Sequence, residues 1–327
     1  MIISRTPLRM SFAGGGSDIA SYFHNFGGAV ISTAINKYVY VNVNQKFDNG
    51  IRVGYSINEE VSNVDDIEHH IVKEALKHLD IKGGIEITTI ADIPSKGTGL
   101  GSSSTFTVGL LNALNAFKSK HISCDKLAQD SCYIEIEKCG APIGKQDQYA
   151  AAYGGFNLIE FNPDNSVVVN PIICDKKTIQ TLESSILVFY TGITRSASNL
   201  LLAQSEIISS SKDKQDVMHK MVSLARTLAK EVQNNNPDVF GEVLHEGWLL
   251  KKSISDEISN AEIDEWYQIA RKAGARGGRI LGAGAGGFLM LSAPLELHEH
   301  IKSKLHMLRY TPIQFERLGS RILFYED

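Results

Sequence analysis

"PSKGTGLGSSST", residues 94–105, decides the reading of this chain. Gly97, Gly99 and Gly101 run directly into Ser102, Ser103, Ser104 and Thr105. Before the stretch, "IEITTIADIP" alternates as a strand does; after it, Phe106, Leu110, Leu114 and Phe117 recur at helical spacing. Strand, glycine loop and helix in that order suit an anion. Glycines let successive backbone N–H groups point inward, and the helix adds four unpaired N–H groups and the positive end of its dipole. Serine hydroxyls supply oxygen donors of the kind a phosphate-bound Mg²⁺ takes. The same composition also makes ordinary turns and helix caps, so the stretch alone leaves both readings open. A Walker A loop is excluded, because GxxxxGK[ST] needs a lysine after the last glycine and Gly101 is followed by Ser102.

Two further glycine-rich pieces flank it. In "TPLRMSFAGGGSDIASYF", residues 6–23, Arg9 leads into Gly14, Gly15 and Gly16, then Ser17 and Asp18. A ligand can approach such a backbone closely, and a short acid beside it can grip hydroxyls. In "GARGGRILGAGAGGFLML", residues 274–291, Gly282, Gly284 and Gly287 match the GxGxxG dinucleotide fingerprint. Context rejects that match: the fingerprint opens a helix, and here the strand-like "FLML" follows.

The intervening segments give the organisation. Residues 28–43 read as strand material, rich in β-branched and aromatic residues. "VDDIEHHIVKEALKHL" reads as a helix on Ile67, Ile71, Ala75 and Leu79, with His69 and His70 in solvated or packing roles, since no HExxH pattern accompanies them. "CDKLAQDSCYIEIEKCG" reads as a helix stopped by Gly140, and "GGFNLIEFNPDNSVVVNP" as a hairpin. From about residue 172 the pattern changes to one strand, "SSILVFYTG", and long polar helices. The expectation is two domains, 1–172 and 173–327, with room for a cleft between them.

Composition narrows the class. Of 327 residues, 43% are hydrophobic and 21% charged, and the formal net charge is −4, so no basic excess points to nucleic acid. Cys124, Cys132, Cys139 and Cys174 form no CxxC pair and read as reduced structural thiols. With neither a long apolar run nor a charged-then-apolar leader at Met1, a cytoplasmic protein with no membrane partner is expected.

Taken together, the three glycine-rich pieces, in this order and at these separations, resemble the GHMP kinase superfamily of galactokinase, homoserine kinase, mevalonate kinase and phosphomevalonate kinase. The resemblance spans almost the whole chain. It implies an α+β, two-domain GHMP kinase architecture, the N-terminal domain ribosomal-protein-S5-domain-2-like and the C-terminal one ferredoxin-like. Within the superfamily, "LRMSFAGGGSD", "CGAPIGKQDQYAAAYGG", "YTGITRSAS" and "GGRILGAGAGGF" are most similar to bacterial D-glycero-D-manno-heptose 7-phosphate kinases. Those enzymes use ATP and Mg²⁺ to phosphorylate an anomeric hydroxyl on a route to nucleotide-activated heptose. A fucose-type sugar 1-kinase and a non-catalytic binder of ATP and sugar are the rival readings. One departure stands out: Pro94 lies five residues before Gly99, where most members have four.

The resemblance also implies roles. Lys96, Gly97, Thr98, Gly99, Leu100 and Gly101 would wrap the ATP phosphates, Ser102 and Ser104 would bind phosphate, and Ser103 would bind Mg²⁺. Two acids compete for the metal. At helical spacing, Ala128, Cys132, Glu135 and Cys139 share a face of small apolar residues, whereas Lys126, Asp130, Tyr133 and Glu137 share the polar face. A carboxylate on a packing face calls for a cation, and Glu135 also stands where the family's metal-binding glutamate does. Asp147 matches the family's catalytic base, able to accept the hydroxyl proton. Arg9 would hold that carboxylate and offset phosphate charge. Gly14, Gly15, Gly16, Ser17 and Asp18 would line the sugar pocket. Lys145 and Arg195 are the candidates for the substrate's own phosphate. Gly284 and Gly286, within Gly282–Gly287, would approach the substrate or the ATP loop. Trp248 and Trp266 read as core or interface.

Overall fold

A computed structural model describes residues 1–94, 97–194 and 197–326. The chain opens with β1 (Ile2–Ala13), a short helix α1 (Ala20–Phe26) and the 18-residue strand β2 (Gly28–Gln45). Next come β3 (Ile51–Gly54), β4 (Asn58–Val61), α2 (His70–His78), β5 (Ile85–Ala91), α3 (Ser102–Phe117), α4 (Cys124–Cys132) and α5 (Gln146–Tyr153). The expected hairpin follows as β6 (Phe156–Phe161) and β7 (Val167–Pro171).

These strands build one sheet around β2, which pairs antiparallel with β1, β5 and β6 along its length. A strand this long bends from one partner to the next, and so serves as the spine of the sheet. β1 packs α3 on its inner face: Leu8, Met10 and Phe12 are fully buried, as are Val108, Leu110, Leu111 and Leu114. Each such side chain contributes roughly 1.5–3 kcal/mol on burial. The rigid layer that results holds Arg9 and the start of α3 in fixed relation.

The second half continues with α6 (Lys176–Ser184), β8 (Ile186–Tyr190), α7 (Ala197–Ser210), α8 (Lys212–Gln233), α9 (Phe240–Lys252) and α10 (Ala261–Lys272). It then runs through β9 (Gly277–Ile280), β10 (Phe288–Ser292), α11 (His298–Lys304), β11 (Arg309–Tyr310), β12 (Phe315–Glu316) and β13 (Arg321–Tyr325). Its antiparallel sheet has the order β11-β8-β10-β9. Numbered along the chain that is 4-1-3-2, with helices in the two crossovers, the ferredoxin-like arrangement expected from the sequence. Trp248 is completely buried and Trp266 packs against the same core, as expected.

Two details differ from the sequence reading. The helix expected from residue 64 begins at His70, after a single 3₁₀ turn over Val64–Asp66. The tail also crosses back: β12 pairs with β2 and β13 with β1, so residues 315–325 complete the first sheet rather than the second. Among the described residues no helix is long and apolar enough to cross a membrane, and the four cysteines are free.

Candidate active site

A cavity of about 260 Å³ opens where the three glycine-rich pieces meet. Gly15, Gly16 and Asp18 line it from the first piece, Gly97–Gly99 and Gly101–Ser104 from the second, and Leu281–Gly284 with Gly286 from the third. The second piece turns three times through the left-handed region, with φ of 68° at Gly97, 74° at Gly99 and 77° at Gly101. It then enters α3, whose first turn carries no acidic residue, so its free N–H groups and positive dipole end stay open to an anion. Thr98 Oγ1 and Ser102 Oγ, 3.1 Å apart, tie the loop to the helix start.

The third piece braces the second. A Cβ on Gly282 would lie 2.4 Å from the Cα of Gly99, and one on Gly287 would lie 2.4 Å from the carbonyl oxygen of Thr98. Only glycine permits that approach. The third piece thus touches the second, one of the two approaches expected of it, and Gly284 and Gly286 both line the cavity.

On the opposite wall, Asp147 sits in the first turn of α5. Buried Arg9, on β1, donates through Nε to Asp147 Oδ1 at 2.7 Å, with Nη2 at 2.6 Å from the same oxygen. Its Nη1 donates to the Gly99 carbonyl at 2.8 Å. One guanidinium thus locks carboxylate and loop together through a fork that lysine cannot supply. Asp147 Oδ2 accepts no hydrogen bond among the described residues and lies 3.0 Å from where a Cβ on Gly101 would be. One oxygen is held and the other faces the loop.

Glu135 is buried, with 2% exposure, whereas Glu137 is exposed. Ser103 Oγ donates to Glu135 Oε1 at 2.9 Å, and Gln148 Nε2 to Oε2 at 2.6 Å. Burial pushes its carboxyl up to about 7, against the pull of hydrogen bonds from Ser104, Gln148 and Ser103. The expected contrast in burial between the two acids is present, although the helix widens into π form over Tyr133–Lys138, a device common at functional sites. Asp130, assigned to the polar face, is in fact buried, with Lys126 at 2.7 Å and His78 at 3.6 Å. The ammonium of Lys126, with the His78 ring beside it, explains how Asp130 tolerates that position.

Glu135 and Ser103 together offer one carboxylate and one hydroxyl. Among the described residues no cluster of three or more metal-type side chains exists. That set fits Mg²⁺, which takes one or two protein oxygens and completes its shell with phosphate and water.

Asp18 is buried and accepts from Gly16 N at 3.0 Å, Gln146 N at 3.1 Å and Gln146 Nε2 at 3.0 Å. Burial, and then the charge of Asp147, raise its pKa. It joins the first glycine piece to the start of α5 and lines the cavity. Gly14 and Ser17 do not line it: Ser17 Oγ accepts from Ala29 N at 3.1 Å, and a Cβ on Gly14 would strike the Ala29 carbonyl at 1.9 Å. Their work is to seat the loop on β2. Leu100 is likewise core, its carbonyl accepting from Arg9 N at 3.2 Å.

Lys145 also turns away from the cavity: its Nζ donates to Asn165 Oδ1 at 2.5 Å and lies over the ring of Phe23. Lys96 and Arg195 fall outside the described residues, as does part of the interval between Pro94 and Gly99. Two cations unnoticed in the sequence line the cavity instead, Lys251 of α9 and Arg279 of β9, both almost wholly buried. Lys251 had a legible signal, since Leu244, Trp248 and Lys251 share the buried face of α9.

The fold and this site define an ATP-type phosphotransferase, and the chain belongs to the GHMP kinases. The model of the GHMP kinases N terminal domain matches residues 70–155, and that of the GHMP kinases C terminal region matches residues 228–306. The chain is 31% identical over 300 residues to the D-glycero-alpha-D-manno-heptose 7-phosphate kinase of Campylobacter jejuni, covering 88% of each. It is 26% identical to the L-fucokinase/L-fucose-1-P guanylyltransferase of Bacteroides fragilis, over 90% of this chain and 34% of that longer protein. A crystal structure of a D-glycero-D-manno-heptose 1-phosphate kinase from Bacteroides thetaiotaomicron superposes with a TM-score of 0.82 at 27% identity, covering all of both chains. The protein is accordingly a sugar kinase, a phosphotransferase with an alcohol group as acceptor.

Proposed function

We propose that this kinase transfers the γ-phosphoryl group of ATP to the anomeric hydroxyl of D-glycero-D-manno-heptose 7-phosphate, giving the 1,7-bisphosphate for nucleotide-activated heptose. The observation that carries the reading is the Arg9–Asp147 pair set against the glycine loop, with one carboxylate oxygen held and the other free.

Phosphoryl transfer depends on positioning and charge neutralisation more than on covalent chemistry. The N–H groups of the loop and of the first turn of α3 receive the polyphosphate. Glu135 and Ser103 would hold Mg²⁺, which neutralises phosphate charge when bound. The acceptor hydroxyl points at Asp147 Oδ2, which takes its proton as the oxygen attacks the γ-phosphorus. Asp18, Gly15 and Gly16 position the sugar, and Arg9 keeps Asp147 and the loop in register. We further propose two units divided near residue 172, closing on substrate, and a cytoplasmic setting in keeping with the use of ATP.

ADP release by wild type and by Asp147→Asn, measured with heptose 7-phosphate, free heptose and fucose, tests the reading. Heptose 7-phosphate should be preferred, and the variant should lose about 10²–10⁴ in turnover while still binding ATP. ADP from fucose but none from heptose 7-phosphate would defeat the substrate assignment, and near-normal turnover would remove Asp147 from its role.

A further inference from the structure

We infer that Lys251 and Arg279 form the seat for the acceptor's own, non-transferred phosphate, an inference that rests on the acceptor being a phosphomonoester. Lys251 is 3% and Arg279 1% exposed, yet both line the cavity. Neither has a carboxylate partner among the described residues. Lys251 Nζ donates to the Gly282 carbonyl, and Arg279 donates to the carbonyls of Phe12 at 3.0 Å and Ile280 at 3.4 Å. Two of three lysine donors and three of five arginine donors therefore remain unspent there.

A buried cation with no carboxylate in contact is costly, and here two stand together, the charge of Asp18 offsetting only part of the cost at Lys251. Burial, and then mutual repulsion with Arg9, pull Arg279 down to about 10, while burial, Arg279 and Arg9 drive Lys251 well below the ordinary lysine range. Arg9 is already taken by Asp147. A dianion is the ligand that would relieve the remaining pair.

The seat faces the acceptor rather than the nucleotide. Measured from the position of a Cβ on Gly15, Ser11 Oγ is 3.5 Å away, Gln146 Nε2 3.7 Å and Arg279 Nη2 3.9 Å. Ser11 Oγ is buried with no partner among the described residues. Phe12, which anchors Arg279, is three residues further along β1 than Arg9, roughly 10 Å at the rise of a strand. A sugar with its reacting hydroxyl at one end and a phosphate at the other spans such a gap.

Kinetics of Lys251→Met and Arg279→Met with heptose 7-phosphate and with the same heptose lacking phosphate test the seat. The KM for the sugar phosphate should rise about 10- to 100-fold, with the KM for ATP unchanged and free heptose little affected. Gly15→Ala, whose methyl meets only ordinary contacts, should raise the same KM without loss of thermal stability. Equal losses on both sugars, or a rise confined to ATP, would overturn the inference. Calorimetric titration of inorganic phosphate into protein saturated with a non-hydrolysable ATP analogue separates the seat from the substrate assignment. Wild type should bind phosphate about tenfold or more tightly than either variant whichever sugar is phosphorylated. Equal affinities would refute the seat even if heptose 7-phosphate proved to be the substrate.

Discussion

Glu135 shows how a single residue carries a conflict between folding and function. Its carboxyl lies at about 7 instead of 4.5 because burial disfavours the charge. Such an acid stabilises the fold fully below 4.5, and the contribution is lost as pH rises through 7. In the absence of divalent cation, Glu135→Gln should therefore be more stable than wild type at pH 8, by up to about 3 kcal/mol, with the advantage vanishing toward pH 4. Thermal melts at the two pH values check this, and a difference independent of pH would contradict it. Turnover should fall by about 10²-fold or more in the same variant, whereas Glu137→Gln, on the exposed side, should stay near wild type. Glu135 was legible in the sequence as an acid on an apolar face. Lys251 obeyed the same rule and was passed over, while Lys145 looked eligible because sequence does not say that its side chain turns to Asn165.

At the scale of elements, the site depends on one glycine loop pressed against another. Gly287 has φ of 84°, and a Cβ there would sit 2.4 Å from the Thr98 carbonyl, a backbone atom that cannot swing aside. Gly140 has φ of 65° with nothing within 4 Å. Gly140→Ala should then cost only about 1–2 kcal/mol of backbone strain, whereas Gly287→Ala should cost more and also raise the KM for ATP. Thermal melts and ATP kinetics on the pair decide, and equal effects would contradict the bracing of one loop by the other. The sequence showed that the third piece precedes a strand rather than a helix, so it was not a dinucleotide fold. It did not show which glycines face Thr98, because that contact joins residues far apart in the chain. The π-turn around Glu135 was also beyond a reading based on ordinary helical spacing, although the face it buries was the expected one.

For the whole molecule, local pattern recovered the strand–loop–helix core, the hairpin and two strands of the second half, each written in short-range periodicity, whereas the four-stranded second sheet was expected only from the family resemblance. It missed the return of β12 and β13 to the first sheet, since a pair of short strands signals no partner. That return matters for the site: β13 borders the same β1 that carries Arg9, and β12 borders β2, which backs the first glycine loop. The candidate site is assembled from residues of the first, middle and last thirds of the chain, and the proposed reaction is one chemical event at one end of a sugar phosphate. Phosphorus NMR of the product made by wild type from ATP and D-glycero-D-manno-heptose 7-phosphate observes that event directly. The account expects a second phosphoryl group whose phosphorus couples to the anomeric proton, formed in step with ADP. A new phosphoryl group on any other carbon, or ADP formed with no new sugar phosphate, would contradict it.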